Sequence, residues 1–301
     1  MSPSHAYGPT GHRIVGAIAE SYLCAEAATE VRSMLAGESL AEAGLWADRI
    51  RGNPDWRYTS PWHYLNVPDD APIERAGGGD RGDVLWAIGR FRAELADSSV
   101  SPRHRAEALR FLAHFIGDVH QPLHVGREED RGGNEVDVML GSKRTNLHAL
   151  WDAQALLKAD RRSVGYRVEG QTEAILQLTE NDVPRLQRTP ARVWARESQY
   201  LRPYVYAFRA SSTRRGFRPD ADYLALAREL SKLRLSQAGV RLAGELNRLF
   251  CPGGRVHKPL IIGGRVIRLP APFWPGYRPF PETEDVRRIQ DGWQAIQGRQ
   301  G

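Results

Sequence analysis

The amino-acid sequence predicts a mainly α fold: a single globular multi-helix domain with a short β-hairpin and a C-terminal extension. Three observations carry that expectation. Apolar residues recur at helical spacing through most of residues 10–249. The segment from Ser101 to Gln121 carries both a helix start and a helix stop signal. After Leu249 the composition turns to Gly, Pro and aromatic residues.

Taken in order, Ile14, Val15, Ile18, Ala19, Tyr22 and Leu23 predict a helix over 10–36, capped by Thr10 and ended by Gly37. Residues 52–82, rich in Gly, Pro and Asp, read mainly as loop, and 83–96 as helix. Ser101 then Pro102 is an N-cap followed by proline in the first turn, and the helix should stop before Pro122. Residues 126–147 are polar and glycine-rich; "EVDVML" alternates as a short strand, with "GS" as a turn. "LHALWDAQALLKAD" resumes helix, and 171–212 and 220–249 carry further helical period. "LIIGGRVIRL" reads as a hairpin across Gly-Gly, and "DVRRIQDGWQAIQ" as a short final helix. The organisation is residues 1–6 as a processing or cloning remnant, 7–250 as one domain and 251–301 as an extension packed on it.

The chain has 301 residues, enough to bury a sizeable core in one domain. No apolar run reaches the length of a membrane span. A net charge of +6, carried mostly by arginine, and a pI near 9.5 favour polyanionic partners. The two cysteines, Cys24 and Cys251, are too few for a thiolate zinc site; one long-range disulfide and two buried thiols both fit.

The nine histidines carry the chemistry. His114 and Asp118 stand four apart on the best-defined helix, which puts both on one face within reach of one metal ion. His148 and Asp152 repeat that spacing on the next helical stretch. His124 follows Pro122, His63 stands between prolines in "PWHYLNVP", Asp48 ends a helical run in "LWADRIR", and His12 opens the first helix. One such His–Asp pair is usually a satisfied histidine; two pairs around a third histidine and a glycine-rich loop favour metal. His120 faces elsewhere and reads as structural, its imidazole bonded to backbone, while His5, His104 and His257 read as peripheral. "DRGGN" reads by default as a tight turn. Nitrogen and oxygen donors without sulfur suit catalytic zinc, and manganese or iron less well; several such donors suggest more than one ion, an arrangement built for phosphate-ester hydrolysis.

The stretches "YGPTGH", "LWADRIR", "WHYLNVP", "FLAHFIGDVHQPLHVG", "DRGGNEVDV", "NLHALWD", "WARESQYL" and "AGVRLAGELN" occur in this order over roughly residues 7–249. Together they resemble the zinc-dependent single-strand nucleases of the fungal S-one/P-one type and the plant bifunctional nucleases. The resemblance implies three zinc ions in one cleft: the first on Asp48, His63, His114 and Asp118, the second on Asp118, His12 and the N-terminal residue, the third on His124, His148 and Asp152. The position of that N-terminal residue is Tyr7, where the family has tryptophan. An α-amine and carbonyl oxygen can chelate only if the amine is free, because a peptide nitrogen has no usable lone pair. Ser4-His5-Ala6 then reads as the end of an export signal, and the location as secreted or periplasmic.

The same resemblance implies that Asp48 orients the attacking nucleophile and that Arg51 clamps phosphate, with Tyr64 stacking a base and Asn66 near it in place of the usual Asp. The expected activity is hydrolysis of single-stranded DNA and RNA to 5′-nucleotides, with 3′-nucleotidase activity, by a monomer without a stable protein partner. The family's loop cysteines have no counterpart in "GGGDRGD", so a Cys24–Cys251 bond would be private to this chain. Two other readings stand beside it: a zinc-dependent phospholipase C, and a non-catalytic zinc- or nucleic-acid-binding protein.

Overall fold

A computed structural model describes residues 7–73, 80–154, 182–207 and 216–251, positions 172, 175 and 179, and the pairs 261–262 and 265–266. The expectations for residues 1–6, for the helix beyond 154 and for the final helix lie outside the described residues.

The first helical stretch is two helices rather than one: α1 (Gly8–Ser21) and α2 (Ala25–Met34). Asn247 makes the break. Its side chain accepts from the Cys24 N–H at 3.0 Å and donates to the Tyr22 carbonyl at 2.8 Å. Cys24 caps α2, its sulfur accepting from the Ala27 N–H. Helix α1 also starts earlier than Thr10. Tyr7 takes a left-handed conformation, and its carbonyl accepts the first helical bond from Gly11. Cys24 and Cys251 form a disulfide that ties this break to the C-terminal end of the last helix.

Short helices α3 (Leu40–Ala43) and α4 (Trp46–Ile50) follow, then a 3-10 segment over Pro54–His63 where loop was expected. Asn53 caps that segment, and Pro54 fits its first turn, so the Pro-rich composition marks a tight helix and not an open loop. Helices α5 (Val84–Ala96) and α6 (Pro102–His120) match the sequence reading, with Asp83 and Ser101 as caps. A 3-10 turn (Pro122–Val125) leads to the hairpin β1 (Asp137–Leu140) and β2 (Lys143–Asn146), paired antiparallel with Val138 opposite Thr145. Then come α7 (Leu147–Ala149), a π-turn over Leu150–Gln154, α8 (Val183–Leu186), α9 (Ala191–Tyr200), α10 (Arg202–Val205) and the long α11 (Ala221–Phe250). Strands β3 (Ile261–Ile262) and β4 (Arg265–Val266) pair antiparallel, as the Gly-Gly turn predicts.

Two apolar clusters hold these elements. The larger joins α1, α2, α5, α6 and α11 through residues such as Ile14, Ile18, Phe91, Leu112, Phe115 and Leu242. The smaller packs β1 and the π-turn against the start of α11, with Val138, Trp151, Phe217 and Tyr223 buried. The buried end of α6 and the chain just after it run from one cluster to the other, through Val119 and Leu123.

Candidate metal centre

The side chains expected to bind metal arrive from seven local elements. His12 comes from α1, Asp48 from α4, and His63 from the last turn of the 3-10 segment. His114 and Asp118 lie one helical turn apart on α6, His124 lies on the 3-10 turn, and His148 and Asp152 span α7 and the π-turn. The structure gathers them into three groups able to hold an ion: His12–His114–Asp118, Asp48–His63–His114 and His124–His148–Asp152.

Asp118 is the hub. One carboxylate oxygen lies 3.0 Å from His63 Nδ1 and 3.2 Å from His114 Nε2; the other lies 3.5 Å from His12 Nε2 and 3.9 Å from His124 Nδ1. His114 Nε2 is 3.7 Å from Asp48, and the His12 and His114 rings stack 4.0 Å apart. In the third group His148 Nε2 is 3.1 Å from His124 Nε2 and 3.4 Å from Asp152.

Backbone carbonyls set the ring orientations. His114 Nδ1 lies 2.7 Å from the Gly44 carbonyl, His124 Nδ1 lies 2.6 Å from that of His63, and His148 Nδ1 lies 2.7 Å from that of Gly132. A proton held at Nδ1 against a carbonyl leaves Nε2 with its lone pair toward the centre. The "DRGGN" turn is therefore also part of the site, because its Gly132 carbonyl receives His148.

Electrostatics point the same way. Burial, with His114 alongside, takes His12 down to about 4, and burial takes His124 down to about 3 and lowers His63. Burial also opposes charge on His114, but Asp118 and Asp48 outweigh it and raise that imidazole to about 9. Burial would raise Asp118, yet the imidazoles around it, His114 first, hold it well below the ordinary carboxylate range. The centre thus offers neutral imidazoles at His12, His63 and His124 and an ionised Asp118, while His114 carries a proton that a bound cation displaces.

The residues fit such a cation. Both ring nitrogens of His12, Nε2 of His63 and Oδ1 of Asp118 are buried without a hydrogen-bond partner. Buried polar atoms are nearly always partnered, so these converging donors suit a bound cation. Position 117 shows the fit from the other side. A Cβ on Gly117 would come within 2.8 Å of His12 Nδ1, so only glycine leaves that ring its place.

The remaining predicted residues are placed as follows. Arg51 ends α4, half-buried, and its charge contributes, after burial, to holding His63 neutral. Leu65 and Val67 donate to the carbonyls of His124 and Gly126, which fixes an extended stretch. Tyr64 and Asn66 fall on its other face, Tyr64 exposed and Asn66 half-buried. The Tyr7 side chain is fully buried, its hydroxyl donating to the His120 carbonyl at 3.1 Å. His120 is structural, with Nδ1 on the Ile116 carbonyl, and His104 is exposed.

Sequence reasoning missed Gln121. Its amide donates to Asp152 at 2.7 Å and accepts from the Leu123 N–H, so one side chain orients a candidate ligand and shapes the turn that carries His124. The signal was its place in "HQPLH", between a helix end and a proline, where a side chain must replace lost backbone bonds.

A helical fold that buries overlapping His/Asp groups, with nitrogen and oxygen donors and no thiolate, suits a metal-dependent hydrolase. The chain belongs to the S1/P1 nuclease family, whose profile matches residues 7–251. It is 32% identical to Endonuclease 2 of Arabidopsis thaliana over 82% of this chain and 91% of that protein. It is 34% identical to Nuclease P1 of Penicillium citrinum over 48% of this chain and 57% of that protein, and 31% identical to Nuclease S1 of Aspergillus oryzae over 50% and 54%. The chain is therefore a nuclease, a hydrolase of phosphodiester bonds. The family assignment selects this over the phospholipase C and non-catalytic readings. Among the described residues no helix is long and apolar enough to cross a membrane.

Proposed function

We propose that this nuclease is a zinc-dependent endonuclease that cleaves single-stranded DNA and RNA to 5′-nucleotides and also removes 3′-phosphate from nucleotides. The observation that carries the reading is the set of buried, unpartnered donors converging on Asp118. Residues 7–250 form the catalytic domain, and 251–301 an extension to it. Three zinc ions are assigned: to Asp48, His63, His114 and Asp118; to Asp118, His12 and the amine and carbonyl of Tyr7; and to His124, His148 and Asp152.

When bound, zinc supplies Lewis acidity at the phosphoryl oxygens and makes water at the centre more acidic. The chain's own groups do the rest. Asp48, at the rim of the cluster, accepts a hydrogen bond from the attacking water and aims it. Arg51 grips non-bridging phosphate oxygens through two parallel N–H donors and so fixes the substrate. Tyr64 stacks an unpaired base, and Asn66, two residues on and on the same face, lies beside that base. Stacking needs a base free of its duplex partner, which gives the single-strand preference. The free Tyr7 amine requires removal of residues 1–6, consistent with export to the periplasm or medium. The protein acts as a monomer.

The test is hydrolysis of a single-stranded oligonucleotide, with product ends read by mass spectrometry before and after chelation and zinc restoration. Expected are 5′-phosphate ends, loss of activity on chelation and recovery with zinc. Products carrying 3′-phosphate ends, or activity indifferent to chelation, would overturn the reading.

A further inference from the structure

Next to the centre lies a second feature, of which the proposed reaction uses only Tyr64. The 3-10 segment, the 80–82 turn and α5 line an open cavity of about 660 Å³. Its walls carry Tyr58, Tyr64 and Trp86 with Arg57, Asp80 and Arg81. Among the described residues only four large hydrophobic side chains are strongly exposed, and three of them, Tyr58 at 58%, Tyr64 at 39% and Trp86 at 41%, converge on this one cavity. Exposed aromatic rings cost hydration unless something covers them, and three together are a built feature rather than scatter.

The rings are fixed in place. Gly82 passes so close under Trp86 that a Cβ there would meet the indole at 2.5 Å. The Arg90 guanidinium lies 5.3 Å from the centroids of both Trp62 and Trp86, and is itself held by Glu94 at 2.7 Å. Trp62 forms the buried floor, its indole N–H donating to the Arg81 carbonyl at 2.8 Å. Tyr58 meets Trp62 edge-on at 5.3 Å. A rigid set of flat faces loses little conformational entropy when a flat ligand stacks on it. Arg57 and Arg81 form no ion pair with another described residue, so their charge remains available to an anion.

Position links the cavity to the centre. His63 and Tyr64 are adjacent, and the backbone at Tyr64 is extended (φ −149°, ψ 168°). Neighbouring side chains on extended backbone point to opposite sides. His63 turns inward to Asp118, and Tyr64 outward to the cavity.

We propose that this cavity is an extension subsite for single-stranded nucleic acid, taking an unpaired base and its phosphate beyond the nucleotide held at the centre. It rests on the nuclease reading and adds to it a grip on longer strands. The base stacks on Trp86 and Tyr58, Arg57 and Arg81 meet the phosphate, and the Asp80 carboxylate accepts from an exocyclic amino group.

The experiment compares wild type, Trp86→Ala, Tyr58→Ala and Trp86→Phe on a dinucleotide and on a single-stranded 12-mer. Anisotropy of a labelled 12-mer is also measured with chelator-treated protein, which binds without cutting. Expected is a rise of about tenfold in KM and in dissociation constant for the 12-mer in each alanine variant, with dinucleotide cleavage unchanged and Trp86→Phe near wild type. Unchanged 12-mer binding and KM in both alanine variants would overturn the proposal, as would equal losses on both substrates. If wild type cuts neither substrate the nuclease reading fails, and the anisotropy still decides whether the cavity binds a strand.

Discussion

Helix α6 carries two buried polar clusters at one end, and they are built on opposite principles. On one side His114 and Asp118 face His12 and His63, and nitrogen atoms of both rings and Asp118 Oδ1 have no hydrogen-bond partner. On the other side His120 faces a closed ionic network. Glu197 is held by Arg241 through both oxygens, at 2.6 and 2.7 Å, and by Arg234. Arg234 also donates to the His120 and Trp194 carbonyls and to Ser198, and Arg241 reaches His120 Nε2 at 2.8 Å. The rear network satisfies itself with protein groups and locks α6 to α9 and α11. The front cluster has buried donors in the arrangement that suits a bound cation. Burial alone therefore does not mark a functional site; burial with convergent unmet bonding does.

The sharpest way to break the contrast is to remove each hub. Asp118→Ala takes out the carboxylate that touches four histidines. Loss of several kcal/mol of charge stabilisation corresponds to a fall of at least about 1,000-fold in kcat of the folded protein. Glu197→Ala should do the reverse. It strands two buried guanidinium groups and costs about 3–5 kcal/mol of stability in chemical denaturation, while the residual folded protein still binds metal.

Acid acts on both clusters, and a substitution at Glu197 isolates the rear one. Burial works to raise Glu197, but Arg241 and Arg234 hold it down to about 2. A carboxylate whose folded pKa is depressed contributes stability above its unfolded value, and that stability is lost as pH falls through the window from about 4.5 to about 2. His120, kept neutral by burial and by Arg234 and Arg241, adds to the loss, because the unfolded chain takes up a proton there that the folded chain refuses. Melting of metal-free protein between pH 5 and pH 3 should fall steeply in wild type and less steeply in Glu197→Gln. The smallest effect is expected at Gln121→Ala. Freeing Asp152 should weaken metal binding at the third group by about 10–100-fold in chelator competition, and leave the other groups unchanged.

The sequence showed α5 and α6 plainly because their caps, Asp83 and Ser101, are local. The split between α1 and α2 was not visible, because the apolar period continues across it and the cause, Asn247, lies more than two hundred residues away. The candidate ligands were legible as residue types at fixed spacing, and their convergence from seven elements followed only from the fold. The role of His120 could be read from its offset on α6, whereas Arg234, Glu197 and Arg241 look like ordinary solvated charges until α9 and α11 are packed. The 3-10 segment hid behind its prolines, and with it the aromatic wall of the cavity beside His63.

Metal content measured together with intact mass, on protein produced with an export signal, tests the central claim most directly. Three zinc ions per chain that begins at Tyr7, falling in Asp118→Ala, is the predicted result. A chain that folds and cuts single strands while holding no zinc would contradict it, and three ions on a chain still carrying residues 1–6 would contradict the role given to the Tyr7 amine.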